Sequence, residues 1–142
     1  MPNIHPLFTH FPIALLSSCL IFDFIGILGK NEQLHRIGWW MQFSGTIGLM
    51  ATVLSGLFAE ATVSIPETAR STFEAHEQIA FVVVASATVL LLWRVSSRML
   101  LPSRMRTLYL LAFAVTVLLM WIGAWYGGEL IYTFGVGVQI GN

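Results

Sequence analysis

Four apolar runs, each about the length of a bilayer crossing and joined by short polar connections, constrain this chain more than any other feature. They are Phe11 to Gly29, Ile37 to Ala59, Gln78 to Val95 and Thr107 to roughly Ile131. A helix needs about 20 mostly apolar residues to cross a hydrocarbon core. Inside that core the chain must satisfy its own backbone N–H and C=O groups, so only helices and closed barrels cross it. The runs are continuous rather than alternating, which argues against a strand barrel. Composition agrees: 56% of the 142 residues are apolar and 10% are charged, whereas a soluble domain carries about 25% charged residues. So little charge cannot cover a water-facing surface. The expected fold is all-α, a four-helix transmembrane bundle forming a single four-span domain over residues 1–142. Short connections make neighbouring spans antiparallel, up-down-up-down.

Charge placement orients the bundle. Lys30 and Arg36 flank the first connection, and Arg94, Arg98, Arg104 and Arg106 flank the third. The second connection holds Glu60, Glu67, Glu74 and Glu77 against Arg70, and Glu129 follows the fourth span. Basic residues in short loops stay in the cytoplasm. Both termini and the acidic connection are therefore expected outside, N-out and C-out. In a bacterial inner membrane this is the periplasmic side. The first run has no basic leader and no A-x-A site, and it carries Asp23, so it reads as a retained span rather than a signal peptide. Cys19, the one cysteine, reads as a small packing residue.

Chemistry concentrates in His5-Pro6-Leu7-Phe8-Thr9-His10-Phe11-Pro12. Imidazole is a base and a common metal ligand. With the orientation above, His5, His10 and His76 share the outer side, and His35 is alone on the inner side. Spans 1 and 3 run in the same direction, so His10 and His76 are expected to meet despite their separation in sequence. Histidines on two helices can bind a haem iron from opposite faces. Haem b between His10 and His76, with His5 as a supporting or replacement ligand, is the leading expectation. Glu60, Glu74 or Glu129 would accept from the ring nitrogens turned away from the iron. The alternatives are zinc or copper on His5, His10, His76 and a carboxylate, chlorophyll on a histidine, or no ligand at all. Pro6 and Pro12 suggest that the segment from His5 to His10 is not helical.

Other features have plainer readings. Ser44, Gly48, Thr52 and Gly56 recur at steps of four, with Gly45 beside them, and share one face of span 2. Such a face packs closely against another helix, or forms a slot for a planar ligand such as a porphyrin or quinone. Trp39, Trp40 and Trp93 are placed to mark the inner interface, and Trp121, Trp125, Tyr126 and Tyr132 the outer one. Trp121 or Trp125 is also placed to stack on a cofactor. Gly127-Gly128 can stop or bend span 4, and Gly135 and Gly137 suit a backbone folded over the outer mouth. Asp23, ionisable within a span, needs a partner, and Arg94 lies at matching depth. A proton path is the alternative role for Asp23. No serine-nucleophile motif, phosphate loop or nucleic-acid footprint is present. The basic residues line a membrane face, where they attract anionic lipid.

The opening His5-Pro6-Leu7-Phe8-Thr9-His10-Phe11-Pro12-Ile13-Ala14-Leu15, the downstream Asp23, His76 and the ending Gly127-Gly128-Glu129-Leu130-Ile131-Tyr132 with Gly135-Val136-Gly137-Val138 resemble the bacterial membrane-protein family DUF2231. The resemblance runs over essentially the whole chain and implies a four-helix membrane protein. Some members are attached to or encoded beside Rieske-type or other redox partners, which implies electron transfer. Members carry histidine where this chain has Phe134; His5, His10 and His76 match the motif. The combined expectation is a cytochrome-b-like electron-transfer subunit, more a subunit than an enzyme. It would pass electrons between a quinone or membrane complex and a periplasmic redox carrier. The competing class is a structural or assembly subunit docking on other membrane subunits or on itself. A pigment-binding subunit is the third.

Overall fold

A computed structural model describes residues 5–98 and 100–138. Four long helices carry almost all of them: α1 (His5–Leu28), α2 (Glu32–Glu60), α3 (Arg70–Ser96) and α4 (Arg106–Tyr132), with a short 3-10 turn at Glu67–Ala69 before α3. There is no strand among the described residues. All four are long and apolar enough to span a membrane. At 1.5 Å per residue, the shortest helix, of 24 residues, is about 36 Å long, against a hydrocarbon core of about 30 Å. The helices therefore overrun the apolar runs, and the extra turns carry polar residues. His5 and His76 sit on such turns.

Local chemistry sets the ends. Asn31 caps α2, its side chain accepting from the backbone N–H of Gln33, which satisfies one of the first-turn donors a helix leaves open. Between α1 and α2 the chain reverses through Lys30 at φ 48°, and after α3 it turns through Arg98 at φ 57°. Both place a residue with a Cβ in the left-handed region that usually ends helices at glycine. Two helix-end expectations are corrected. The stretch from His5 to His10 is helical, because Pro6 lies in the first turn, where its missing N–H has no intrahelical partner to lose. Gly127-Gly128 does not stop α4, which runs on to Tyr132.

Pro12 lies in the interior of α1, and it withdraws the N–H that would bond the carbonyl of Phe8. Thr52 of α2 supplies a replacement: its Oγ1 lies 3.0 Å from the Phe8 carbonyl oxygen and 2.9 Å from that of Gly48. Thr52→Val keeps the shape and removes that donor. It should cost about 1 kcal/mol, read as a lower thermal midpoint in detergent.

Packing makes two hairpins. α1 lies against α2, the start of one beside the end of the other, because α2 presents small residues. A Cβ on Gly45 would meet Leu16 at 2.8 Å, and one on Gly48 would meet Pro12 at 3.4 Å. This part of the small-residue face is therefore a helix–helix seam. α3 and α4 pair in the same way. Leu16, Cys19, Leu49, Val83, Ala87, Leu90, Tyr109, Phe113, Val117 and Met120 form the core. The outward faces of all four helices remain apolar, with Leu54, Val89, Leu111 and Leu118 at least half exposed, as lipid contact requires. Trp40 lies exposed, but Trp39 is buried, not an interface anchor. Because α2 begins at Glu32, Trp39 falls two turns inside it and stacks on Phe43, the ring centroids 5.5 Å apart.

Candidate functional site

Two polar assemblies bridge α1 to α3, one at each end of the bundle. The first is buried and closed. Asp23, Arg94, Gln42 and Thr46 have no exposed surface. Arg94 clamps Asp23 with two bonds, Nη1 to Oδ2 at 2.6 Å and Nη2 to Oδ1 at 2.8 Å, so the expected pair forms. Nη2 also donates to the His35 carbonyl at 2.6 Å, and Nη1 to Gln42 Oε1 at 3.2 Å. The Tyr109 hydroxyl donates to the same Gln42 oxygen at 2.7 Å. His35 Nδ1 lies 3.0 Å from Asp23 Oδ1 and donates to it, because a carboxylate only accepts. Its ring packs on Gly26, where a Cβ would come within 2.8 Å. His35, the one histidine at this end among the described residues, is thus tied into the assembly. One carboxylate, one guanidinium and their hydrogen-bond partners tie all four helices together. Sequence reasoning missed Gln42 and Tyr109. The signal for Gln42 was present as an amide in mid-span, in register with His35, Gly38 and Trp39 on one helix face.

The second assembly is an apolar cavity of about 170 Å³ at the opposite end, lined among others by His5, Thr52, Gly56, His76, Gly127 and Val136. His5 opens α1 and His76 lies in the second turn of α3. Their rings face each other edge-on, with centroids 6.4 Å apart and planes at 84°. Each is seated on a glycine of the helix paired with its own. A Cβ on Gly56 would meet His5 Cε1 at 3.2 Å, and one on Gly127 would meet His76 Cε1 at 3.0 Å. The two hairpins thus repeat one device, a histidine near the start of an odd-numbered helix laid on a glycine near the end of the next. Gly127 leaves room for this ring rather than ending α4. The tail folds back beyond it, the Val136 N–H donating to the Leu130 carbonyl at 2.9 Å, so that Val136 closes part of the wall.

Hydrogen bonding sets the tautomers. His76 Nδ1 lies 2.8 Å from the Gly123 carbonyl oxygen. A carbonyl only accepts, so Nδ1 carries the proton and, in the neutral ring, Nε2 carries the lone pair. His5 Nδ1 lies 2.9 Å from Ser55 Oγ. Ser55 gives its own proton to the Thr52 carbonyl at 2.8 Å, so its oxygen accepts from His5. The acceptors are thus a carbonyl and a serine, in place of the expected carboxylates. Glu74 instead pairs with Arg70 at 3.3 Å on the exposed surface, and Glu129 lies in a separate surface depression with Trp121 and Trp125.

The three candidate histidines do not converge. His5 meets His76, while His10 is exposed and is not among the residues lining the cavity. Five residues along a helix turn His10 about 140° away from His5. Trp121, Trp125 and Phe134 also do not line the cavity. Among the described residues, no three of histidine, cysteine, aspartate and glutamate stand close enough to hold a metal ion. The three-histidine zinc or copper arrangement is therefore not assembled, because its third nitrogen faces away.

No curated protein and no solved structure matches this chain. The family described as predicted membrane protein (DUF2231) matches residues 1–140. With four helices able to span a membrane, the chain belongs to the DUF2231 family of predicted membrane proteins.

Proposed function

We propose that this protein is a non-catalytic electron-transfer subunit that holds a redox-active ligand between His5 and His76. The observation that carries the reading is the facing pair of imidazoles, 6.4 Å apart on two different helices, each with Nδ1 engaged, at an apolar cavity. Redox and metal chemistry uses imidazole nitrogen as ligand, acceptor or proton carrier, and apolar walls keep water from the bound group. The orientation follows from charge. Lys30, Arg36, Arg98, Arg104 and Arg106 surround the Asp23–Arg94 end, so the positive-inside rule puts that end in the cytoplasm and the cavity at the outer face. In a bacterial inner membrane a periplasmic carrier would reach the site from there.

The identity of the ligand turns on size and charge. His5 and His76 are the residues that would hold a metal-centred group, supplying it with imidazole nitrogen from two helices. Yet cavities for drug-sized ligands measure about 300–1,000 Å³, and a porphyrin or chlorophyll belongs at the large end of that range. The enclosed part of this cavity, about 170 Å³, lies below that range. Its described lining has Glu60 and Glu77 but no lysine or arginine to meet haem propionates. The histidine pair supports haem b, and the enclosed volume and acidic lining support a smaller, uncharged group.

Optical spectra of the purified protein before and after dithionite test the reading. A redox-responsive absorbance is expected in the wild type and in His10→Ala, and its loss in His5→Ala and His76→Ala. A Soret band would identify a porphyrin. No redox-responsive group, or one retained in both cavity variants, refutes the proposal and leaves a structural or assembly subunit.

A further inference from the structure

We infer that the histidine cavity is a binding site for the single-ring head group of an isoprenoid quinone, entered from the bilayer between α2 and α3. This rests on the proposal of a redox ligand at His5 and His76 and names its chemical class. Volume gives the first argument. A closed apolar cavity of about 150 Å³ takes up one benzene ring, and this cavity measures about 170 Å³. Its enclosed part is of a size for one six-membered ring with small substituents.

Position gives the second. Leu57 of α2 and Phe81 of α3 line the cavity and are 43% and 45% exposed. The cavity wall therefore reaches the lipid-facing surface between these two helices, which pack on each other less closely than either hairpin pair. A ligand entering there must be soluble in the bilayer, and its tail can stay in lipid once the head is seated.

Charge gives the third. The lining includes Glu60 and Glu77, with no lysine or arginine among the described lining residues. Phospholipid phosphates and fatty-acid carboxylates are repelled there, and a neutral head group is not. At the polar end of the cavity, His76 has Nδ1 held by the Gly123 carbonyl, so its neutral ring offers Nε2 as an acceptor for a quinol hydroxyl. Ring recognition through a few placed polar groups in an otherwise apolar pocket is how small-molecule sites are usually built.

Two measurements on the full chain test this. The first is mass spectrometry of an organic extract of the purified protein, expected to contain isoprenoid quinone in near-stoichiometric amount. The second is a titration of decylubiquinone into quinone-stripped, histidine-¹⁵N-labelled protein in nanodiscs. The four histidines give separate reporters. The signals of His5 and His76 should move and saturate, while those of His10 and His35 should not. Ala80→Phe, which fills the wall from α3, should weaken binding at least tenfold while the protein stays folded by circular dichroism.

If decylubiquinone moves no histidine signal, or all four alike, or if the extract holds only phospholipid, the inference is overturned. A Soret band or a stoichiometric metal with no response to decylubiquinone overturns it while sparing the redox-ligand proposal. Absence of chromophore, metal and quinone together removes both.

Discussion

Arg94→Met is expected to destabilise the bundle by about 3–5 kcal/mol, because removing one partner strands the other charge in the interior. Arg94 and Asp23 are both fully buried, and lipid surrounds the bundle where a soluble protein would have water. Without Arg94, Asp23 loses its two shortest bonds, and Gln42 and the His35 carbonyl each lose a donor. Asp23→Leu should cost a similar amount. The double variant Asp23→Leu/Arg94→Met should cost less than the sum of the singles, since each removes the charge the other leaves behind. Thermal or SDS-induced unfolding of the four proteins in detergent gives the cycle. Strict additivity would contradict a direct ion pair. The double variant should still fall below wild type, because the His35 ring nitrogen and the His35 carbonyl keep polar groups that the pair now satisfies.

Gly127→Val should abolish ligand retention at the histidine cavity while leaving membrane insertion intact. A Cβ at this position already lies 3.0 Å from His76 Cε1, closer than two carbons pack comfortably. The two methyls of valine extend beyond that, so the His76 ring must swing out or α4 must move off α3. Overpacking of this kind costs about 1–3 kcal/mol. The bond from His76 Nδ1 to the Gly123 carbonyl breaks with the ring's movement. The check is a ¹⁵N histidine spectrum beside the extract assay: the His76 resonance should shift and the bound group disappear. Gly128→Ala is the control, because the nearest side-chain atom to a Cβ there is Tyr132 Cδ2 at 4.0 Å. It should retain both.

The functional geometry shows where reading the chain alone succeeds and where it stops. The pairing of Asp23 with Arg94 is legible because an ionisable group in a span needs a partner and Arg94 lies at its depth. Depth alone could not choose between His5 and His10 as the partner of His76. Both lie near the start of one helix, and the choice depends on the helical state of the intervening segment. Read as non-helical because of its prolines, that segment leaves the two side chains' directions undefined. As a helix, it sends His5 inward and His10 outward. The glycines have the same lesson. Gly127 looks like a helix stop in one dimension, and its role as a seat for His76 exists only once α3 lies beside α4.

Charge scarcity and four uninterrupted apolar stretches were enough to determine the class of this protein, its helix count and the depth of its ionisable residues. Hydrocarbon leaves a polar backbone few options, and those options are written in local composition. Rotation of each rod about its own axis was decided by tertiary packing: which side of α1 meets Gly56, which imidazole faces His76, and how much space remains between them. Those angles come from small residues on one helix meeting large ones on another, a property of pairs of surfaces that no single stretch of sequence contains.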